Sequence, residues 1–225
     1  MRTNPPDQNA VWPFTRLCVR LDHLELRLPD FSELTDLALL AKKGVHAPDA
    51  MPFPFPWTAQ EPQHVARSVM QYFWRTQGAI TPESWELSIT LFSEGQVVGT
   101  SGLSAQEFAL HRTIETGSWI GREFQGRGIG TKMRIMCLAL AFDHLGAAQV
   151  TSGAFADNAA SNRVSQKLGY RDNGYELLTR QGQSARLNRF VLTAEDWESR
   201  PERLRAEVKV SGLDACLPLL GIANG

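Results

Sequence analysis

Three cysteines in 225 residues, Cys18, Cys137 and Cys216, are too few and too scattered for a disulfide framework or a zinc site. They read as reduced thiols in a protein that stays in the cytoplasm. Charge of one sign is missing too: 23 Lys and Arg against 24 Asp and Glu leave a formal net charge of −1. That balance gives no case for nucleic acid, whose binders carry a basic face. No acidic cluster is present to suit a polycationic substrate. No apolar run approaches the roughly 20 residues needed to cross a membrane, and the polar stretch Met1–Asn9 lacks a secretory core. Internal repeats are absent. What remains is ordinary, 43% hydrophobic and 21% charged, and long enough for one well-buried domain with an appendage.

The apolar pattern orders the elements. Residues 1–15 read as a flexible N-terminal arm. Leu17 to Leu28 alternates with period two, as a half-buried strand does. Pro29-Asp30 opens a helix with Phe31, Leu34, Leu37 and Ala41 at helical spacing, closed by Lys42-Lys43-Gly44. A second helix runs from Glu61 or Pro62 to about Gln77, with Val65, Val69, Tyr72 and Phe73 on its buried side. Trp85–Phe92 and Gln96–Leu103 form a hairpin, and Thr113–Ile120 is the next strand. A helix from Arg127 to Leu145 carries Ile129, Met133, Met136 and Leu140 in one stripe and stops at Gly146. Ala148–Phe155 is a strand, followed by a short helix capped by Asp157 or Asn158 and a closing hairpin around Gln181-Gly-Gln183. Glu195 to about Lys209 reads as a last helix. The order predicts an α/β fold with a mixed, mostly antiparallel sheet flanked by helices.

The chemistry is concentrated in Trp119-Ile-Gly-Arg-Glu-Phe-Gln-Gly-Arg-Gly-Ile-Gly-Thr131, where a strand enters a glycine-rich turn that opens into a helix. Glycines let the backbone approach a ligand, and the free amides of the first helical turn attract an anion. Arg122 and Arg127 add positive charge, so a diphosphate fits. A P-loop would need Gly-Lys-Ser/Thr, but the order here is Gly130-Thr131-Lys132. A dinucleotide fingerprint needs Gly-x-Gly-x-x-Gly with an acidic residue ending the next strand, and no carboxylate comes before Asp157.

Gln125-Gly-Arg-Gly128-Ile-Gly130 matches the Gln/Arg-x-x-Gly-x-Gly/Ala signature of the GNAT acetyltransferase superfamily. About thirty residues on, Asp157-Asn-Ala-Ala-Ser161-Asn-Arg-Val164-Ser-Gln-Lys-Leu168-Gly-Tyr170 resembles its second signature. Trp-Ile-Gly before the turn and Asn-x-x-Ser-x-x-Val after it are most similar to the branch that acetylates ribosomal-protein N-termini, and to its small-molecule relatives. The resemblance covers roughly residues 16–197, leaving 198–225 as a C-terminal extension packed on the domain.

The resemblance implies the GNAT fold, with its fourth and fifth strands, here Thr113–Ile120 and Ala148–Phe155, splayed around the cofactor. It implies acetyl-CoA as co-substrate, an amine acceptor, no metal, and a monomer or homodimer. Trp119 and Ile120 would meet the pantetheine amides, amides from Arg127 through Gly128, Ile129 and Gly130 to Thr131 the diphosphate, and Gln125 and Gly126 would shape the turn. Asn158 would approach the pantetheine arm and Ser161 the thioester sulfur, although both also suit ordinary capping. Relatives with a tyrosine acid place it where this chain has Ser165, which leaves a non-catalytic acyl-CoA sensor as the alternative. Glu115, at the start of the strand feeding the turn, is the candidate general base, with Glu86 and His111 behind it. The stiff Met51–Trp57 loop presents Phe53, Phe55 and Trp57 for acceptor binding or, equally, to plug the core edge.

Overall fold

The computed structural model describes residues 11–223. Its strands are β1 (Cys18–Leu21), β2 (Leu24–Arg27), β3 (Ser84–Ser93), β4 (Gln96–Gln106), β5 (Thr113–Ile120), β6 (Gln149–Phe155), β7 (Arg171–Arg180), β8 (Gln183–Thr193) and β9 (Lys209–Ser211). Its helices are α1 (Phe31–Lys43), α2 (Pro62–Gly78), α3 (Ile129–Ala139), α4 (Ala159–Lys167) and the short α5 (Ala194–Glu198). The strands make one sheet in the order β7-β8-β6-β5-β4-β3-β2-β1-β9. Only β5 and β6 run parallel among the described pairs. This is the mixed, mostly antiparallel sheet flanked by helices that the sequence predicts.

Local chemistry explains most of these elements. Asp30 caps α1 through a capping box, its carboxylate accepting from the Glu33 amide at 2.8 Å while Glu33 returns the bond, worth about 1 kcal/mol. On one face of the sheet α1 and α2 bury Leu37, Val65, Val69 and Phe73 against Phe92 and Val97. On the other, Met133, Met136 and Leu140 pack over Leu26, Ile89, Ile114 and Val150.

The structure corrects four sequence expectations. Leu17–Leu28 is two strands, because Asp22 takes a left-handed φ of 53° and turns the chain so that Leu21 pairs with Leu24. Beyond Ala139 the third helix widens into a π-helical turn, Leu140–His144, where the Leu145 amide donates to the Leu140 carbonyl. The helix expected over Glu195–Lys209 stops at Glu198, with Pro201 just beyond, and Lys209–Ser211 become β9. Residues 1–10 of the expected arm lie outside the described residues, whereas Pro13–Arg16 form a 3-10 turn that buries Phe14. No helix among the described residues is long and apolar enough to cross a membrane.

Candidate active site

The parallel pair β5–β6 is held over four rungs only, from Thr113↔Gln149 to Thr116↔Ser152. Beyond that rung β5 stays with β4 as far as Ile120, while β6 stays with β8 as far as Phe155. The two strands therefore fork, and the β5 backbone from Gly117 to Ile120 faces the opening without a strand partner on that side. Arg134 of α3, only 6% exposed, closes the base of the fork. One of its guanidinium nitrogens donates to Thr116 Oγ1 at 2.6 Å and to Ser152 Oγ at 2.9 Å, clasping the last rung. No carboxylate pairs with it among the described residues. Nothing in the sequence pattern marks this residue, because a single cation within a helix reads as surface.

The glycine turn follows directly. The Gln125 side chain donates to the carbonyls of Ile120 and Val45, both at 2.8 Å, fastening the turn to the segment after α1. Gly126 and Gly128 adopt φ of 76° and 79°, a region costly for other residues, and a Cβ at either would meet no protein atom within 4 Å. Gly128 is the N-cap of α3, no side chain caps the helix, and the Thr131 amide turns back to the Gly128 carbonyl at 3.1 Å. The amides of Ile129 and Gly130 lie in the first turn, where a helix supplies no acceptor. Arg127 reaches back to the Glu123 carbonyl at 2.9 Å. Across the fork, Asn158 Oδ1 accepts from the Ser161 amide at 3.2 Å and caps α4. Ser161 is half-buried, while Ser165 one turn later is 3% exposed and points into the interior.

Beside the fork lies a cavity of about 740 Å³, walled by Phe53, Phe55, Trp57 and Tyr72 and floored by β3, β4 and β5. Phe53, Trp57 and Trp119 pack in series as tilted rings, with centroids 5.1 and 5.8 Å apart. Phe55 is 72% exposed at the rim. Two rows cross the floor. Ser88, Gly102 and Gly117 are aligned and leave a trough, while Glu86, Ser104 and Glu115 form the row beside it. At the usual strand spacing the backbones of the two glutamates sit about 10 Å apart across the sheet. Glu86 accepts from the Tyr72 hydroxyl and, at 3.1 Å, from Ser88 Oγ. Its carboxylate lies where a Cβ on Gly102 would come within 2.9 Å, so that glycine makes its room. Burial first, and then the Glu86 carboxylate, push the Tyr72 phenol well above its ordinary pKa, keeping it protonated. Glu115 is exposed, and its Oε1 accepts from Arg189 Nη1 at 3.0 Å. His111 is not among the residues lining this cavity.

Residues 23–171, more than half of the chain, match the acetyltransferase (GNAT) domain family. The chain belongs to the GNAT acetyltransferase family. Among solved structures it resembles Mycobacterium smegmatis RimJ in complex with CoA-disulfide. That match has a TM-score of 0.69 and 18% identity over 92% of this chain and 95% of that one. RimL, a ribosomal L7/L12 alpha-N-protein acetyltransferase in complex with coenzyme A, matches at 0.63 and 19% over 80% and 99%. A ribosomal-protein-S5-alanine acetyltransferase from Vibrio fischeri matches at 0.61 and 17% over 82% and 99%. At these identities the likeness concerns the fold.

Within this GNAT domain, the turn residues Trp119 to Thr131 and the cap Asn158–Ser161 stand on the two arms of one fork. Free amides at the α3 start, open space above Gly126 and Gly128, and an unpaired strand edge fit a thioester cofactor with a diphosphate. Phe53 and Trp57 both line the cavity and pack on the α1–α2 core. Tyr72 was expected in the core with Phe73. Phe73 is buried, but Tyr72 is 40% exposed and faces the cavity, because its hydroxyl needs the Glu86 partner.

Arg180 ties the aromatic loop to the fork. It forms a two-pronged pair with Asp157 at 2.9 and 2.6 Å, donates to the Met51 carbonyl at 3.2 Å and lies over the Phe155 ring. Arg180→Ala should speed amide exchange across residues 51–57 at least tenfold, while lowering the melting temperature by only about 2–4 °C, the effect of roughly 1 kcal/mol in a chain of this size. Unchanged exchange would show that the packed aromatics hold the loop unaided.

Proposed function

We propose that this chain is an acetyl-CoA-dependent N-acetyltransferase. Its acceptor is the free α-amine of a small molecule, amino-acid derivative or peptide N-terminus that carries an apolar or aromatic group beside the amine. The observation that carries this reading is the opening of the aromatic-walled cavity onto the fork at Thr116, Gly117 and Ser118, next to the glycine turn. Family membership supports the reaction class.

When bound, acetyl-CoA supplies an acetyl group on a thioester. Amides from Arg127 to Gly130 would hold its diphosphate in the field of the α3 N-terminus, the Thr131 amide being turned back to the Gly128 carbonyl. The open edge of β5 at Trp119 and Ile120 would bond the amides of its pantetheine arm, with Asn158 opposite. Ser161, half-buried at the start of α4, would donate a hydrogen bond to the thioester sulfur. Glu115 takes the proton of the acceptor ammonium on the oxygen that Arg189 leaves free, since an amine of pKa about 8 is mostly protonated at pH 7. Glu86, held by Tyr72 and Ser88, draws the ammonium along the same row. The larger share of the acceleration comes from holding amine and thioester together.

Incubating the protein with acetyl-CoA and amino-acid amides, short peptides or aminoglycosides, and following thiol release, tests this directly. Release should occur with apolar and aromatic α-amines and not with aminoglycosides. Acetyl-CoA binding without release for any amine would leave an acyl-CoA sensor and overturn the proposal. In the same assay Trp57→Ala should raise KM for the best acceptor roughly tenfold, about 1.4 kcal/mol, with acetyl-CoA affinity nearly unchanged. Wild-type behaviour toward every acceptor would remove the aromatic loop from the pocket.

A further inference from the structure

Among the described residues Arg134 is the only buried side chain that carries a charge, and the reaction set out above gives it no task. It donates to Thr116 Oγ1 and Ser152 Oγ, and each hydroxyl in turn donates to a carbonyl of the opposite strand. Thr116 reaches the Thr151 carbonyl at 3.2 Å, and Ser152 the Thr116 carbonyl at 3.4 Å. One turn further along α3, Cys137 donates to Ser101 Oγ at 3.2 Å, and Ser101 to the Gly117 carbonyl at 3.1 Å. Burial pushes the Cys137 thiol up and keeps it neutral. The layer beneath the fork therefore holds hydroxyls, a thiol and one cation. Arg134 has no ion pair among the described residues. A guanidinium kept from water without a counter-ion is costly to a fold, and an apolar chain of similar length would fill the space at less cost. Its charge lies one hydroxyl away from the cavity, because Thr116 lines that cavity where β5 and β6 part.

We propose that Arg134 is an electrostatic positioning residue for acyl transfer: from beneath the fork, through the Thr116 hydroxyl, its charge stabilises the negative charge that grows on the thioester. The proposal rests on the acetyl-CoA reading above and adds a residue to it. In that transfer the amine nitrogen bonds to the thioester carbon, the carbon–sulfur bond breaks, and the nitrogen's surplus proton ends on the sulfur. Negative charge passes from the carbonyl oxygen to the sulfur on the way. A fixed cation in a dry, neutral layer acts on that charge with little screening and no reorganisation. The same field favours the thiolate form of the product, coenzyme A, which gives a readout independent of turnover. The other titratable groups around the fork are engaged with one another. Glu115 and Glu176 hold Arg189 at 3.0 and 3.5 Å, Asp157 holds Arg180 at 2.6 Å, and Glu86 holds the Tyr72 hydroxyl. A substitution at position 134 leaves these groups in place, so they cancel in a comparison of variants.

Three variants of the full chain separate the charge from its hydrogen bonds. Arg134→Lys keeps the charge, Arg134→Gln keeps a donor without charge, and Arg134→Met keeps neither. The first readout is the ultraviolet absorbance of the thiolate of bound coenzyme A as pH is raised, with the signal of the free protein subtracted. An unperturbed thiol titrates near about 8.5. In the wild type and Arg134→Lys the bound thiol should titrate about one unit or more below its value in Arg134→Gln and Arg134→Met. The second readout is turnover. Arg134→Gln and Arg134→Met should lose roughly 10- to 100-fold in kcat, and Arg134→Lys much less, with acetyl-CoA affinity nearly unchanged in all three. Arg134→Met should melt no lower than the wild type, since removing an uncompensated buried charge offsets the lost hydrogen bonds. Equal thiol titration in the wild type and Arg134→Gln overturns the proposal while leaving the acetyl-CoA reading intact. So does a kcat that Arg134→Gln restores and Arg134→Lys does not, which would make Arg134 a clasp for the fork alone. Failure of the wild type to bind coenzyme A overturns the proposal together with the reading beneath it.

Discussion

Glu115→Gln should lower kcat about 100-fold at pH 7, within the usual range for losing a positioned base, and leave acetyl-CoA affinity unchanged. Glutamine keeps the shape and can still accept from Arg189, so the sheet, the Glu86–Ser104–Glu115 row and the cavity floor should persist. Only the proton acceptor is lost. The deficit should shrink as pH rises toward the amine's own pKa near 8, because the acceptor then arrives deprotonated. A rate–pH profile separates this from a packing defect, which would lower the rate equally at every pH. Glu86→Gln makes the contrast. Its carboxylate is already engaged by Tyr72 and Ser88, so the loss should fall mainly on acceptor KM. A full kcat loss in Glu86→Gln with none in Glu115→Gln would exchange the two roles.

Gly128→Val should raise the apparent Kd for acetyl-CoA at least tenfold, about 1.4 kcal/mol or more. Two effects combine. A valine at φ 79° is strained, by roughly 1–2 kcal/mol, and its branched side chain enters the space above the helix start, where no protein atom lies within 4 Å. Because that space is open, the variant should fold, with its melting temperature lowered by the backbone strain alone. Gly128→Ala carries similar strain with less bulk, so the difference in affinity between the two variants reports the obstruction itself. If folded Gly128→Val binds acetyl-CoA like the wild type, the turn is merely a connection.

The parts that were legible in the sequence are those whose cause is local. The start of α1 at Asp30, the stop at Gly146, the cap at Asn158 and the glycine turn all depend on residues within a few positions of one another. The splay of Thr113–Ile120 from the following strand was legible only through the resemblance, because a fork between strands has no short-range sequence mark. What was hidden depends on distant partners. Arg134 is buried because Thr116 and Ser152 take its donors from two different strands. Tyr72 leaves the core because Glu86 waits on β3. Arg180 matters because Met51 and Asp157, far apart in the chain, meet at its guanidinium. Glu195–Lys209 has a tolerable helical pattern, yet Pro201 follows the end of the helix and Lys209 joins Val210 and Ser211 on the open edge of β1.

The pairing of β1 with β9 joins residues 193 positions apart, Cys18 and Ser211. Closing so long a loop is slow, and it comes after the entropy of nearly the whole chain has been spent. During synthesis β1 can fold against β2, but its outer row of amides and carbonyls stays bare until the chain has been made past residue 211. A bare edge is a template for strands of other chains. Nascent chains stalled before β9 should therefore be the aggregating species, and the three-residue β9 acts as a late cap that releases a finished molecule from that hazard.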